Sequence, residues 1–589
     1  MYVLGINPGE HEGSACIVKD GKIIAFAESD RITRKKFGTF RNDNTPLGED
    51  IFWVVPTHLV IGQVLRESNL SLNDIDAIAI GWLKIQLGWT AKHLGSERRI
   101  SFGQNVTPLD ERFDLKKYEE ELLPTGLFPR IKTPPIHFIP HHLSHAASAY
   151  YTSGFSESAI IVADGWGDKE GVSLFYGFGK EIELIKSFTG SLGAFYQKAA
   201  EHAQIDGQSP GKLMGLAPYG IDHEIKICNL EKDGFSFPYK DGWRPHHDAV
   251  MSAVLGLTKA IQCENFNSKK MIGADGNPLE QMFYADFAAT MQKEFERVMF
   301  HLARVVKEKT GSNNLVIAGG CGQNCSFNGL FTSLQNEIEN KDLKINLFVP
   351  PVPQDTGVSL GAALYVERNE HERTKRMEHA YYGYNPAEEE ISRVVHKSGL
   401  GFKFLEDKKL IEKISQCLVD QKIVGWYNGR AEIGARALGA RSLLMDPRNV
   451  ENWHRMNEVK GREIWRPLAP SILKEHVADF FDVVDSPLAD FMVGAFQVKE
   501  EAQSIIPACV HVDGSARPQF VNKETNPLYH ALISSFYEKT GVPVVMNTSF
   551  NLADEPIVHT PQDAILSFIR SDIDVLVLGN YFIEKKAGK

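Results

Sequence analysis

The sequence predicts an α/β protein of two linked regions, residues 1–375 and 390–589, the first of them internally duplicated. Three observations point there. Two hairpins share one layout, Gly13…Gly21-Lys22 and Gly171…Gly179-Lys180, with the same spacing in both. Buried-type apolar runs alternate with helical periodicity on both sides of the chain's middle. A charged stretch at 368–379, RNEHERTKRMEH, then leads through Tyr384-Asn385-Pro386 into a fresh α/β pattern, as a linker would.

The chain opens as a meander. Residues 2–6 and 14–18 read as strands, Asp20-Gly21 is a hairpin turn signal, and 22–28 is the next strand. The second copy runs from a strand at 159–163, ending in Asp164, through 171–176 and Gly179-Lys180. Each copy carries a Gly-bearing turn with Asn or Asp at its mouth: Asn7-Pro8-Gly9, and Asp164-Gly165-Trp166-Gly167-Asp168. Gly lets backbone N–H groups approach a phosphate, and Asp can hold a metal bound to it. Plain surface turns have the same composition. Residues 311–330 read as strand (315–318), turn (Gly319, Gly320, Gly322) and helix, the place where α/β proteins take nucleotides. No Gly-Lys-Ser/Thr follows, so this is not a Walker A loop. In the second region, 410–418 has helical periodicity, while 423–427, 542–546 and 575–578 read as buried strands.

Composition narrows the function. Hydrophobic residues at 43% and charged residues at 24% exclude whole-chain disorder, collagen and coiled coil. A net charge of −11 is a poor match for nucleic acid. The seven scattered cysteines read as reduced, buried thiols; Cys321 and Cys325 have no second pair at zinc-finger spacing. No apolar run approaches the roughly 18 residues of a membrane span. The start, MYVLGINPGEHEG, lacks a basic signal-peptide region. The expectation is a cytoplasmic protein without nucleic-acid or membrane partners.

His141-His142-Leu143-Ser144-His145 is the sharpest metal signal. On a helix, His141 and His145 stand at i and i+4 on one face, and His142 points elsewhere. Carboxylates must then come from afar. Asp164 and Asp355 are the candidates, the latter in a Pro-stiffened loop, PPVPQDTG, where taken alone it better suits a helix cap for 358–365. Such a His/His/Asp set suits Fe²⁺, Mn²⁺ or Zn²⁺. Farther on, Arg430, Arg436, Arg441 and Arg448 recur every five to seven residues, followed by Lys460, Arg462, Arg466 and Arg517. In an acidic chain, that cluster points to a small phosphorylated ligand. Asn547-Thr548-Ser549-Phe550-Asn551, just after a buried strand, can add neutral donors.

Ten segments in order resemble the O-carbamoyltransferases of the NodU/CmcH family: VLGINPGEHEGSACIVKDGKIIAFAESDRITRKKFG, HHLSHAASAY, VADGWGD, GKLMGLAPYG, AGGCGQN, PPVPQDTGVSLGAA, GRAEIGARALGARSLLMDPR, REIWRPLAPSI, HVDGSARPQ and MNTSFN. They span nearly the whole chain. The resemblance implies an actin/hexokinase-like, duplicated N-terminal domain of the threonylcarbamoyl-transfer type and a YrdC-like C-terminal domain. It implies that carbamoyl phosphate is hydrolysed in the YrdC-like domain and that carbamate and Mg²⁺-ATP give carbamoyl-adenylate and pyrophosphate. The adenylate then passes through an internal channel, and a hydroxyl of a small-molecule acceptor attacks it in the larger domain, releasing AMP. It implies an iron(II) site at His141, His145, Asp164 and Asp355, with His11 and Lys36 at the transfer step. Gly165, Gly167, Gly319, Gly320 and Asn324 fall on its nucleotide-binding turns. Arg430, Arg436, Arg441, Lys460, Arg517, Asn547 and Ser549 fall in the YrdC-like pocket's motifs. A homodimer is compatible with it. One departure stands out: the family's His-Asp pair is here His11-Glu12, one methylene longer. Residues 81–135, with Trp82, Trp89, Phe102 and Phe113, lie between shared segments and read as an acceptor pocket or as a subdomain core. Two other functions fit the fold less well. A tRNA threonylcarbamoyl-type enzyme runs against the acidic charge, and an actin/hexokinase-type kinase needs no Arg-rich second domain.

Overall fold

The computed structural model describes residues 1–9, 11–36, 40–41, 53–54, 57–83, 115–207, 209–237, 284–334, 344–367, 375–483 and 485–585. Trp89, Phe102 and Phe113 lie outside them.

Two sheets of one design form the first region. The first contains β1 (Tyr2–Asn7), β2 (Ser14–Lys19), β3 (Lys22–Glu28), β4 (Ala77–Ile80) and β5 (Ile136–Phe138), in the order β3-β2-β1-β4-β5. The second contains β6 (Glu157–Ala163), β7 (Val172–Phe178), β8 (Glu181–Phe188), β9 (Asn314–Ala318) and β10 (Asn346–Phe348), in the order β8-β7-β6-β9-β10. In both, the first three strands form an antiparallel meander and the last two add in parallel. The duplication read from the matching hairpins is therefore a duplication of the whole five-stranded unit. Parallel strands need cover on both faces, and β1 and β6 are buried almost throughout.

After its last strand each unit adds a helix: α1 (His141–Ser153) in the first and α2 (Thr356–Glu367) in the second. The two cross in close contact. A Cβ on Gly361 would lie 1.7 Å from the carbonyl oxygen of Ser144, so only hydrogen fits there. Paired sheets of this order with crossing helices are the actin/hexokinase-like arrangement expected for this region. The crossing sets α1, with its histidines, beside the loop that precedes α2.

The second region is built on one mixed sheet. Its strands are β11 (Phe402–Phe404), β12 (Val424–Tyr427), β13 (Arg441–Met445), β14 (Ala469–Leu473), β15 (Gln519–Val521), β16 (Val544–Ser549), β17 (Val575–Leu578) and β18 (Tyr581–Glu584), in the order β11-β18-β17-β12-β13-β16-β14-β15. β16 runs farther than the sequence reading: Asn547 and Ser549 lie in the strand, not after it, because Ser442 of β13 pairs with Ser549.

One hydrophobic core runs through both regions, from Val3 to Ile583. The described part of the expected linker is packed. Met377 and Ala380 are buried, the Met377 N–H donates to the Thr152 carbonyl, and Tyr382 and Ala380 carbonyls accept from Phe26 and Ile433. Among the described residues no helix is long and apolar enough to cross a membrane.

Candidate active site

Four side chains from three separate segments meet in the first region. His141 and His145 lie on α1, Asp164 follows β6, and Asp355 precedes α2; all four are buried. The Nε2 atoms of the two histidines are 3.1 Å apart. Asp164 Oδ2 lies 3.4 Å from His141 Nε2 and 3.5 Å from His145 Nε2, and Asp355 Oδ1 lies 3.5 Å and 3.4 Å from them. Bonds of ~2.1 Å to one ion would separate neighbouring ligand atoms by roughly 3.0–3.4 Å, so the donor set fits a divalent metal. His141 Nδ1 lies 3.3 Å from the Gly81 carbonyl, to which it donates, leaving the Nε2 lone pair for a metal. Burial pushes the His141 imidazole down, but Asp355 and Asp164 outweigh it and raise it to about 10. The same imidazoles hold Asp355 down at about 2, against burial and Asp164. The cluster thus favours positive charge at the point its ligand atoms face. His142 turns away: its Nδ1 meets Ser173 Oγ at 2.7 Å.

The surroundings organise these ligands. Asp168 Oδ2 accepts from the His141 N–H at 2.7 Å, capping α1, while its Oδ1 accepts from the Leu83 N–H at 3.1 Å. Trp82 packs on the His141 ring with centroids 3.9 Å apart, and its Nε1 donates to Asn7 Oδ1 at 2.8 Å. Asn7 Nδ2 in turn donates to the Asp355 carbonyl at 2.9 Å. His11 stands at the rim: it is 58% exposed, and its Nδ1 lies 3.9 Å from Asp355 Oδ2. Beside it, Glu12 takes a left-handed backbone (φ 52°), and burial and Asp355 raise its carboxyl well above the usual range.

The glycine turns close on Asp164. Gly320 N–H donates to Asp164 Oδ1 at 2.8 Å. Gly319 has φ 83°, and a Cβ there would lie 2.2 Å from the Ala163 carbonyl oxygen, so glycine alone fits. A Cβ on Gly165 would meet no atom within 4 Å, so this turn faces open space. Gly167, by contrast, packs on the His142 ring. Asn324 is not brought into the opening; its amide pairs with Gln292 at 3.0 and 3.1 Å and accepts from Phe327 N–H.

A second cluster lies at the seam of the two regions. Burial first, and then neighbouring cations, push Arg436, Lys460, Arg462 and Arg466 down, with Arg517 among those cations for the three arginines; Arg436 falls to about 9. The buried Lys460 ammonium is held by Ser549 and Asn551. Among the described residues, Arg517 Nε is buried without a hydrogen-bond partner. Lys36, expected at the transfer step with His11, lies instead within electrostatic reach of Lys212, Asp554, Arg466, Asp206 and Lys460. Glu463 is the acid paired into the group, 3.6 Å from Arg466 NH1 and 2.9 Å from Lys212 Nζ. So large an excess of positive charge suits a multiply charged anion.

Three of the residues read from the pocket's motifs are placed differently. Arg430 donates to the Gly383 and Ile24 carbonyls at 2.9 and 2.8 Å, tying the regions together. Arg441 is fully buried, donates to the Asn428, Gly429, Ala440 and Tyr384 carbonyls, and packs 3.6 Å over the Tyr427 ring. Asn547 Nδ2 is engaged by Ala437, Ser471 and Gln519. These three are engaged by backbone carbonyls and neighbouring side chains outside the cationic cluster.

Comparison with known proteins gives the family. The model of the carbamoyltransferase N-terminus matches residues 2–364, and that of the carbamoyltransferase C-terminus matches residues 415–585. The chain belongs to the carbamoyltransferase family. It is 32% identical to nodulation protein NolNO of Sinorhizobium fredii, covering 98% of this chain and 79% of that protein. It is 34% identical to nodulation protein NolO of Bradyrhizobium diazoefficiens, over 76% of this chain and 79% of that protein. It is also 34% identical to protein sll1178 of Synechocystis, over 100% and 97%. The protein is a carbamoyltransferase.

For this carbamoyltransferase the sequence reading passed over Asp168 and Asn7 as working parts. Both lie in turns that it quoted, but their tasks depend on α1 and the Asp355 loop arriving from elsewhere. Arg462 and Arg466 were visible as charges, and REIWRP was their signal.

Proposed function

We propose that this carbamoyltransferase is an ATP-dependent O-carbamoyltransferase with two reaction sites. The YrdC-like C-terminal region would take carbamoyl phosphate and Mg²⁺-ATP at the cationic pocket; water would split carbamoyl phosphate into carbamate and inorganic phosphate, and the carbamate oxygen would attack the α-phosphorus of ATP, giving carbamoyl-adenylate and releasing pyrophosphate. Arg436, Arg462, Arg466, Arg517 and Lys460 would bind the phosphates and offset the charge that develops on them. Lys36 would close the pocket from the other region. The adenylate would then react in the N-terminal domain, where Gly165, Gly319 and Gly320 border the opening for its phosphate.

His141, His145, Asp164 and Asp355 would hold a divalent metal, iron(II) by the family pattern, with manganese or zinc as alternatives. The metal would polarise the transferring group as a Lewis acid and hold its phosphate. His11, at the rim beside Asp355, would take the proton from the acceptor hydroxyl as the carbamoyl carbon is attacked and AMP leaves. The acceptor would be a hydroxylated small molecule.

The convergence of two imidazoles and two carboxylates at metal-ligand spacing is the observation that carries this reading. The test is His141→Ala. It should lose bound metal, measured by elemental analysis, and lose carbamoyl transfer, while carbamoyl-phosphate-dependent pyrophosphate release stays within a few-fold of wild type. Full metal content and full transfer in the variant would overturn it.

A further inference from the structure

Arg436 belongs to the cationic pocket, but what holds its loop lies in the other region. Arg31, from the turn of helix after β3, donates through NH1 to the Glu432 carbonyl and through NH2 to the Gly434 carbonyl, both at 2.6 Å. Its Nε pairs with Glu28 Oε2 at 2.9 Å, and the Glu28 carboxylate accepts the Gly434 N–H at 3.2–3.3 Å. Glu432 then closes the loop on itself: its Oε1 accepts the N–H groups of Leu438, Ala440 and Arg441 at 2.6, 3.3 and 3.3 Å. Arg436 therefore sits at the tip of a loop clamped at both ends. Glu28, Arg31 and Glu432 are 6%, 4% and 0% exposed. In so buried a set, removing one partner leaves the groups it held without a counterpart, so the loop depends on all three.

The loop is also wedged from a second side. Gly434 has φ 88°, and a Cβ there would lie 2.2 Å from the Pro351 carbonyl oxygen, four residues before the candidate ligand Asp355.

We propose that Glu28 and Arg31 are positioning residues for Arg436, so that the N-terminal domain sets the phosphate affinity of the cationic pocket through the loop closed by Glu432. The proposal rests on the reading that this pocket takes carbamoyl phosphate. Two independent measurements test it. The first is calorimetric binding of inorganic phosphate, which needs no turnover. Arg31→Met should weaken phosphate about tenfold or more, comparably to Arg436→Ala. Arg31→Lys, which keeps the charge but has no fork for two carbonyls, should fall between it and wild type. The second is carbamoyl-phosphate-dependent pyrophosphate release. Arg31→Met should raise the KM for carbamoyl phosphate about tenfold with kcat within about threefold, a split that a loss of folded protein would not produce.

Wild-type affinity for phosphate in folded Arg31→Met and Arg31→Lys would overturn the proposal while leaving the pocket's function intact. Phosphate bound by wild type and lost in both variants, with no pyrophosphate ever released, would uphold the positioning and overturn the adenylate reading. No phosphate binding by wild type would overturn both.

Discussion

At the scale of residues, the chemistry turns on how tightly His141 is aimed. Its backbone N–H is held by Asp168, its Nδ1 by the Gly81 carbonyl and its ring face by Trp82. Removing such a partner lowers metal affinity by about 10–100-fold in known sites. Asp168→Ala is expected to lose bound metal in that range while α1 stays folded, measured by metal titration alongside circular dichroism. Unchanged affinity would show that the cap serves the helix alone. The i, i+4 spacing of His141 and His145 made their convergence on one point legible in the sequence, and Asp164 and Asp355 stood at turn positions that suit a candidate ligand. The exchange of Asp for Glu at position 12 was visible too, but its left-handed backbone was not. Arg430 and Arg441 looked like ligands because their spacing matches Arg436. Nothing local records that their carbonyl partners arrive from Ile24, Gly383 and Tyr384.

At the scale of elements, the site depends on one crossing. α1 carries the histidines, α2 follows Asp355, and the two meet where Gly361 faces the Ser144 carbonyl. A side chain there must push the helices apart. Gly361→Val is expected to cost about 3 kcal/mol or more, at the upper end of overpacking, and to reduce metal content, because both ligand pairs move. Thermal unfolding with metal analysis checks this; a stable variant with full metal would mean the crossing can shift without opening the site. The elements themselves were readable, since hairpin turns and apolar runs act over a few residues. β16 ended too early in the sequence reading because Asn547, Thr548 and Ser549 are polar, yet the ladder to β13 continues through them. Short strands such as β14 and β15 carry Pro470 or span only three residues, so local pattern did not announce them.

At the scale of the molecule, the two regions are joined by polar contacts as well as by the shared core. Arg34 donates to the Ile557 and Pro556 carbonyls, and His559 Nε2 meets Gln63 Oε1 at 3.0 Å. Burial, with Arg31, Arg441 and Arg34 nearby, pushes the His559 imidazole down to about 3. The unfolded chain would bind this proton near pH 6.5, so between pH 6.5 and about 3 the unfolded state holds more protons. Stability therefore falls as pH drops through that window, by about 2 kcal/mol at pH 5 from this group alone. His559→Asn is expected to flatten the dependence of unfolding free energy between pH 7 and 5; an unchanged slope would assign it to other groups. The duplicated first region was legible from its hairpins. The packing of 375–386 was not, because charge and Pro near 380 look the same in a free linker and in a strap bonded to both sides.

If two chemistries share this chain, the first of them needs no acceptor. Purified protein is mixed anaerobically with Fe²⁺, Mg²⁺-ATP and carbamoyl phosphate, and the nucleotide and phosphate products are followed. Pyrophosphate release that depends on carbamoyl phosphate is expected, with carbamoyl-adenylate formed in step; this is the two-chemistry reading. ADP in place of pyrophosphate, or no turnover of carbamoyl phosphate by folded, iron-loaded protein, would contradict it.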